Sequence, residues 1–109
     1  MALSHYKLMW IVVMFDLPVV SKVERKAATK FRNTLLDLGF EMMQFSVYMR
    51  FCTGFSKIET LGKQVESSLP EGGRVNILFF TDKQYESIKS YIGKSKQLGV
   101  KPPDQFVLF

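Results

Sequence analysis

An unbroken apolar run, Met9-Trp10-Ile11-Val12-Val13-Met14-Phe15, ends on one carboxylate, Asp16, and is followed by Leu17-Pro18 and a helix start at Ser21. Such a run, bounded by turn residues, predicts a strand buried on both faces. It is too short to span a bilayer. An acid at its last position stands at a strand's carboxyl end, where a rigid core can hold an exposed charge in place. From this segment alone, the plainer reading of Asp16 is a loop residue that closes the turn with Leu17-Pro18.

Residues 7–16 therefore form a first strand. Ser21-Lys22-Val23-Glu24 is a capping box: the hydroxyl accepts from the third helical residue and the glutamate reaches back to the cap. The helix runs to about Leu38 and stops at Gly39, which suits the left-handed position after a helix. At helical spacing, Val23, Ala27, Ala28, Phe31, Leu35 and Leu38 share one side. Lys22, Arg25, Lys26 and Asn33 share the other, with Lys30 and Arg32 on the flanks. Residues 40–51 are β, either one bent strand or two short ones turning near Gln44–Ser46. Ser56-Lys57-Ile58-Glu59 has the form of a second capping box, with Ile58, Leu61, Val65 and Leu69 following. Residues 70–73 close that helix in a turn. Residues 74–80 are a further apolar strand. Thr81-Asp82-Lys83-Gln84 is a third capping box and opens a short helix with Tyr85, Ile88 and Ile92 on one side, ending at Gly93. Residues 94–105 are a polar loop, and Phe106-Val107-Leu108-Phe109 a last short strand.

This order predicts an α+β, ferredoxin-like βαββαβ sandwich with an added C-terminal strand, its sheet antiparallel with both helices on one face. Residues 1–109 form one domain with a core at about 7–92. In that topology the strand at 74–80 is an apolar sheet edge, and bare apolar edges invite pairing. The detached apolar tail Phe106, Val107, Leu108 and Phe109 is then expected to extend a partner's sheet beside 74–80 in a homodimer.

Lys+Arg number 15 against 10 Asp+Glu, a formal net charge of +5 that favours a polyanionic partner. A lone cysteine, Cys52, excludes an intrachain disulfide, and with a single histidine, His5, a zinc site is excluded as well. The N-terminal segment lacks the pattern of a secretory leader, so the expected location is cytoplasmic, without membrane contact. Basic charge in the first turns of a helix opposes the macrodipole. The cluster Lys22, Arg25, Lys26, Lys30 and Arg32 therefore reads as a phosphate-contacting face, with a merely solvated side as the alternative. Without a base-reading motif, binding would be sequence-tolerant and salt-sensitive. Phe45, Tyr48 and Phe51 are at a spacing that favours core or interface packing over base stacking. Asp37, Glu41, Asp82 and Asp104 read as surface or capping residues, and Ser46 lacks an adjacent base.

Phe15-Asp16-Leu17-Pro18, Glu24-Arg25-Lys26, Lys30-Phe31-Arg32 and Gly39-Phe40 through Gln44-Phe45-Ser46-Val47-Tyr48, with Thr81-Asp82-Lys83-Gln84 further on, resemble one family. It is the small CRISPR-associated adaptation endonuclease that partners the spacer integrase, in the form found with single-effector systems. The resemblance implies a ferredoxin-like homodimer that bridges integrase dimers and binds duplex DNA, with RNA as the alternative polymer. It implies that Asp16, one from each protomer, is the catalytic residue and holds Mg2+ or Mn2+. One departure is that Met42 and Met43 stand where many members carry an arginine tied to nuclease activity. Two other readings are a free-standing Mg-dependent endoribonuclease or DNase, and a small ferredoxin-like regulatory or ligand-binding domain.

Overall fold

A computed structural model describes residues 8–96. The tail strand expected at 106–109 and His5 lie outside the described residues. The elements are β1 (Leu8–Asp16), α1 (Lys22–Asp37), β2 (Glu41–Gln44), β3 (Val47–Thr53), α2 (Phe55–Ser67), β4 (Arg74–Thr81), α3 (Asp82–Glu86) and a small hairpin of β5 (Tyr91–Ile92) and β6 (Ser95–Lys96). The main sheet has the order β2-β3-β1-β4. All of its pairings are antiparallel. This is the expected ferredoxin-like α+β fold.

Strand alternation in β1 separates two apolar layers. Ile11, Val13 and Phe15 join Tyr48 and Cys52 of β3 under Phe31 and Leu35 of α1 and Ile58, Leu61 and Val65 of α2. Phe15 meets Phe31 edge-on, with ring centroids 5.3 Å apart, and stacks on Tyr48 at 5.7 Å. On the opposite face Val12 and Met49 pack with Tyr85 of α3, edged by Trp10, Val47, Leu78 and Phe80. Trp10 anchors that layer. Its indole stacks on Tyr85 at 3.8 Å and lies 4.9 Å from Phe51, and its Nε1 donates to Asp82 Oδ1 at 3.1 Å. Because α3 has only five residues, it covers the Trp10 end of this face alone. Burial on both faces thus holds for Ile11, Val12 and Val13, and fails at Met14, which is 41% exposed beside Asp16.

The capping box at Ser21 forms as expected: Glu24 N donates to Ser21 Oγ at 3.1 Å, and Ser21 N donates to Glu24 Oε1 at 2.8 Å. The bond from the Ser21 backbone holds the Glu24 carboxyl below its ordinary value. A lowered carboxylate stabilises the fold above its ordinary pKa, and that contribution is lost as pH falls through the lowered value. The box at Thr81 forms in the same way with Gln84. Residues 40–51 resolve into the two-strand alternative, with a tight turn at Phe45-Ser46 that places Ser46 at φ 63°.

Four local expectations are corrected. Ser56 is not a cap. β3 runs to Thr53, Gly54 turns the chain at φ 87° without a side-chain cap bond, and Ser56 is already helical, its carbonyl accepting from Thr60 Oγ1 at 2.9 Å. The helix after Thr81 stops at Glu86, where the Ser87 hydroxyl donates to the Gln84 carbonyl at 2.6 Å. Ile92, expected on that helix, is 59% exposed in β5. Part of the expected 94–105 loop is strand, since Ser95–Lys96 pairs with β5. Val23, placed by periodicity on the apolar side of α1, is 78% exposed in the first turn, and the buried side of the helix is Ala28, Phe31 and Leu35. No helix among the described residues is long and apolar enough to cross a membrane.

Candidate functional site

Asp16 is the last residue of β1, the strand between β3 and β4, and at this position only β4 still pairs with it. Its side is that of Val12 and Met14, away from α1 and α2, and its exposed carboxylate borders an open cavity of about 260 Å³. Met14, Phe45, Ser46, Val47, Arg74 and Asn76 line the same cavity. Arg74 is the register partner of Asp16 across β4. Two backbone features fix the strand end. Phe15 N donates to Ser46 O at 3.0 Å, tying the β2–β3 turn to β1. Gly73, at φ 87°, is pressed so closely on this end that a Cβ there would lie 2.5 Å from Asp16 O and 2.9 Å from Leu17 Cδ2.

Gly73 is therefore unreplaceable on two counts, conformation and close approach. Gly73→Ala is expected to lower stability by about 1–3 kcal/mol, read as a lower urea midpoint. Gly72→Ala is the control, since its Cβ would meet Pro18 Cγ at an ordinary 3.4 Å.

Among the described residues no three His, Cys, Asp or Glu side chains gather into a metal-binding group. The donor set at this cavity is one accessible carboxylate with neutral oxygens beside it. That suits Mg2+, which keeps several waters and takes one or two carboxylates, and does not suit zinc. Cys52 is buried, and burial pushes its thiol up, so it is an inert core residue. Asp82, in the first turn of α3, accepts from Trp10 Nε1, while the cap of that helix is Thr81.

The basic residues of α1 lie on the other side of the molecule. Lys22, Arg25, Lys26 and Lys30 border one shallow outward groove with Thr29, Asn33, Thr34 and Asp37. Arg25 also has a local role: Nη1 donates to Val20 O at 2.7 Å and Val19 O at 3.2 Å, clamping the β1–α1 loop. Arg32 stands apart from the groove. It is half-buried, donates to Thr29 Oγ1 at 3.1 Å, and partly offsets the upward push that burial gives the Tyr48 phenol.

Sequence reasoning missed Arg50 and Arg74. The Arg50 guanidinium donates to Leu38 O at 2.7 Å, so a strand residue supplies the cation that the last turn of α1 lacks. Only the cross-strand register brings Arg74 to Asp16. Met42 and Met43 take up opposite packing roles, one in each apolar layer.

The model of the family described as CRISPR associated protein Cas2 matches residues 9–88. A CRISPR-associated endoribonuclease Cas2 from Paracidovorax avenae is 63% identical over 107 residues, covering 98% of this chain and 99% of that protein. Proteins of the same name from Flavobacterium psychrophilum and Parvibaculum lavamentivorans are each 43% identical, covering 98% and 93% of this chain and 93% and 100% of theirs. With Asp16 at the end of the central strand of a ferredoxin-like sheet and matches that span nearly its whole length, the chain belongs to the CRISPR-associated Cas2 family.

Proposed function

We propose that two copies of this chain form the central homodimer of a CRISPR spacer-acquisition complex, bridging two integrase dimers and carrying duplex DNA on their α1 faces. The observation that carries the DNA part is the grouping of Lys22, Arg25, Lys26 and Lys30 on one outward groove along the N-terminal half of α1, with Lys22 and Arg25 set against the helix dipole. Arg32, half-buried, adds to the field around that groove. The homodimer is supported by an uncovered edge at β4, where Phe79 is 47% exposed, and by the open sheet face around Phe51. Phe106, Val107, Leu108 and Phe109 are assigned to the partner's β4 edge.

The same reading makes Asp16 the carboxylate of a metal-dependent endonuclease. Asp16 from each protomer would hold Mg2+ or Mn2+. When bound, that ion supplies activation of water and neutralisation of charge on the phosphate. The chain's own contribution is positional: β1, the Ser46 carbonyl and Gly73 hold the carboxylate at a fixed place on an accessible surface. A second reading is a free-standing Mg-dependent endoribonuclease or DNase, and the relatives' name, endoribonuclease, favours RNA within it.

The DNA face is tested by Lys22→Gln, Lys26→Gln and Lys30→Gln together. Duplex affinity is expected to fall, and the slope of log affinity against log salt to flatten by up to about 0.9 for each phosphate left unneutralised. An unchanged slope would make this face a solvated helix side.

A further inference from the structure

The cavity beside Asp16 is lined by an exposed aromatic, Phe45, and a cation, Arg74, that the duplex-binding face does not use. Phe45 sits in the β2–β3 turn and is 66% exposed. Core packing does not account for it. Tyr48 is buried on Phe15, and Phe51 lies against Trp10. The ring is also presented on a rigid support. Ser46, at φ 63°, closes the turn, and its carbonyl is tied to Phe15 N, one residue before Asp16. A non-glycine residue in that conformation is uncommon, and it keeps the turn short. Arg25, Arg32 and Arg50 each donate to an acceptor within the chain. Arg74, exposed opposite Asp16, has no such partner among the described residues.

We propose that this cavity is a subsite for one unpaired nucleotide, its base stacked on Phe45 and its phosphate held by Arg74. An exposed ring beside a guanidinium that has no hydrogen-bond partner among the described residues is the pairing that single-stranded nucleic acid recognises, because every base offers a π-face and every linkage an anion. At about 260 Å³ the cavity lies below the ~300–1,000 Å³ of drug-sized ligand sites, and it is open along one side. It takes one base with the strand continuing past it. A base stacked on Phe45 must have left its neighbours, so a duplex does not fill the site. Asn76 and Ser46 line the same space and offer hydrogen bonds to the base edge or sugar. The consequence for cleavage, that the linkage next to this nucleotide is brought to Asp16, rests on reading Asp16 as the cleaving carboxylate. The binding itself does not.

The test uses the full chain without divalent metal and a short single-stranded oligonucleotide carrying 2-aminopurine at one position. Binding is read by anisotropy, and stacking by quenching of the 2-aminopurine. Phe45→Ala is expected to weaken strand binding about tenfold and to remove the quench, whereas Phe45→Trp keeps both. Arg74→Gln should flatten the salt slope for the single strand by about 0.7. Duplex affinity and the mass of the dimer should stay as in the wild type for all three variants. Wild-type strand affinity and quench in Phe45→Ala would overturn the proposal. So would a dimer that Phe45→Ala dissociates, which would assign the ring to the interface between copies. Cleavage that persists in Asp16→Asn, with strand binding and quench dependent on Phe45, would instead remove the catalytic role of Asp16 and leave the subsite standing.

Discussion

Asp16→Asn is expected to abolish the proposed metal-dependent cleavage and to leave folding, dimerisation and duplex binding as in the wild type. The side-chain volume is nearly unchanged, and the position is an exposed strand end, so the stability change should stay within about 0.5 kcal/mol. The lysines of α1 lie on the opposite side of the sheet, so the charge removed does not touch the groove proposed to bind the duplex. Cleavage is different, because Asp16 is the one acid that borders the cavity. Removing an outer partner of a metal ligand already costs about 10–100-fold, and removing the ligand itself should exceed a hundredfold. The measurement is the cleavage rate of a labelled strand in Mg2+ or Mn2+, with light scattering and duplex binding run in parallel. Spacer capture with the integrase should survive the substitution. Full cleavage by the variant would remove Asp16 from the chemistry. Failed capture with dimer and duplex binding intact would show that the carboxylate is required for more than cleavage.

Trp10→Ala is expected to produce the largest loss of stability of any single substitution on the open sheet face. The indole holds α3 against the sheet through its stack on Tyr85 and its bond to Asp82, and it packs on Phe51 from β3. Truncation leaves a gap among Val12, Met49 and Tyr85 and strands the Asp82 carboxylate without its donor. Phe or Trp to Ala changes in cores cost about 3–5 kcal/mol, and this half-buried site should lie near the lower end. Urea unfolding followed by far-UV circular dichroism reads the loss. A change under about 1 kcal/mol would mean that α3 is held by other interactions.

The order of elements was legible because each signal was local. Ser21 with Glu24 and Thr81 with Gln84 are complete capping boxes within four residues, and both form. The apolar faces of α1 and α2 follow helical spacing wherever a sheet lies beneath them. Ser56 misled because the same pattern has no force once β3 continues to Thr53 and Gly54 makes the turn. Ile92 misled because spacing does not report where a helix ends. Ser87 closes α3 by bonding back to Gln84, and the chain then forms a hairpin. The strand end at Asp16 was visible as a carboxylate after an apolar run. The residues around it were not, since Arg74 and Phe45 reach Asp16 through the β1–β4 register and the β2–β3 turn, which no local pattern encodes. Arg25 was read as a phosphate ligand from charge alone. In the structure its guanidinium clamps the Val19 and Val20 carbonyls, a local duty that charge does not reveal.

The most direct measurement is the mass of the particle formed when this chain, the integrase from the same CRISPR locus and a duplex DNA are mixed and passed over a sizing column with light scattering. The expected result is one particle containing two copies of this chain, two integrase dimers and one duplex, with the duplex released from it when Lys22, Lys26 and Lys30 are neutralised. A chain that elutes apart from the integrase, or that enters the particle as a single copy, would contradict the bridging homodimer.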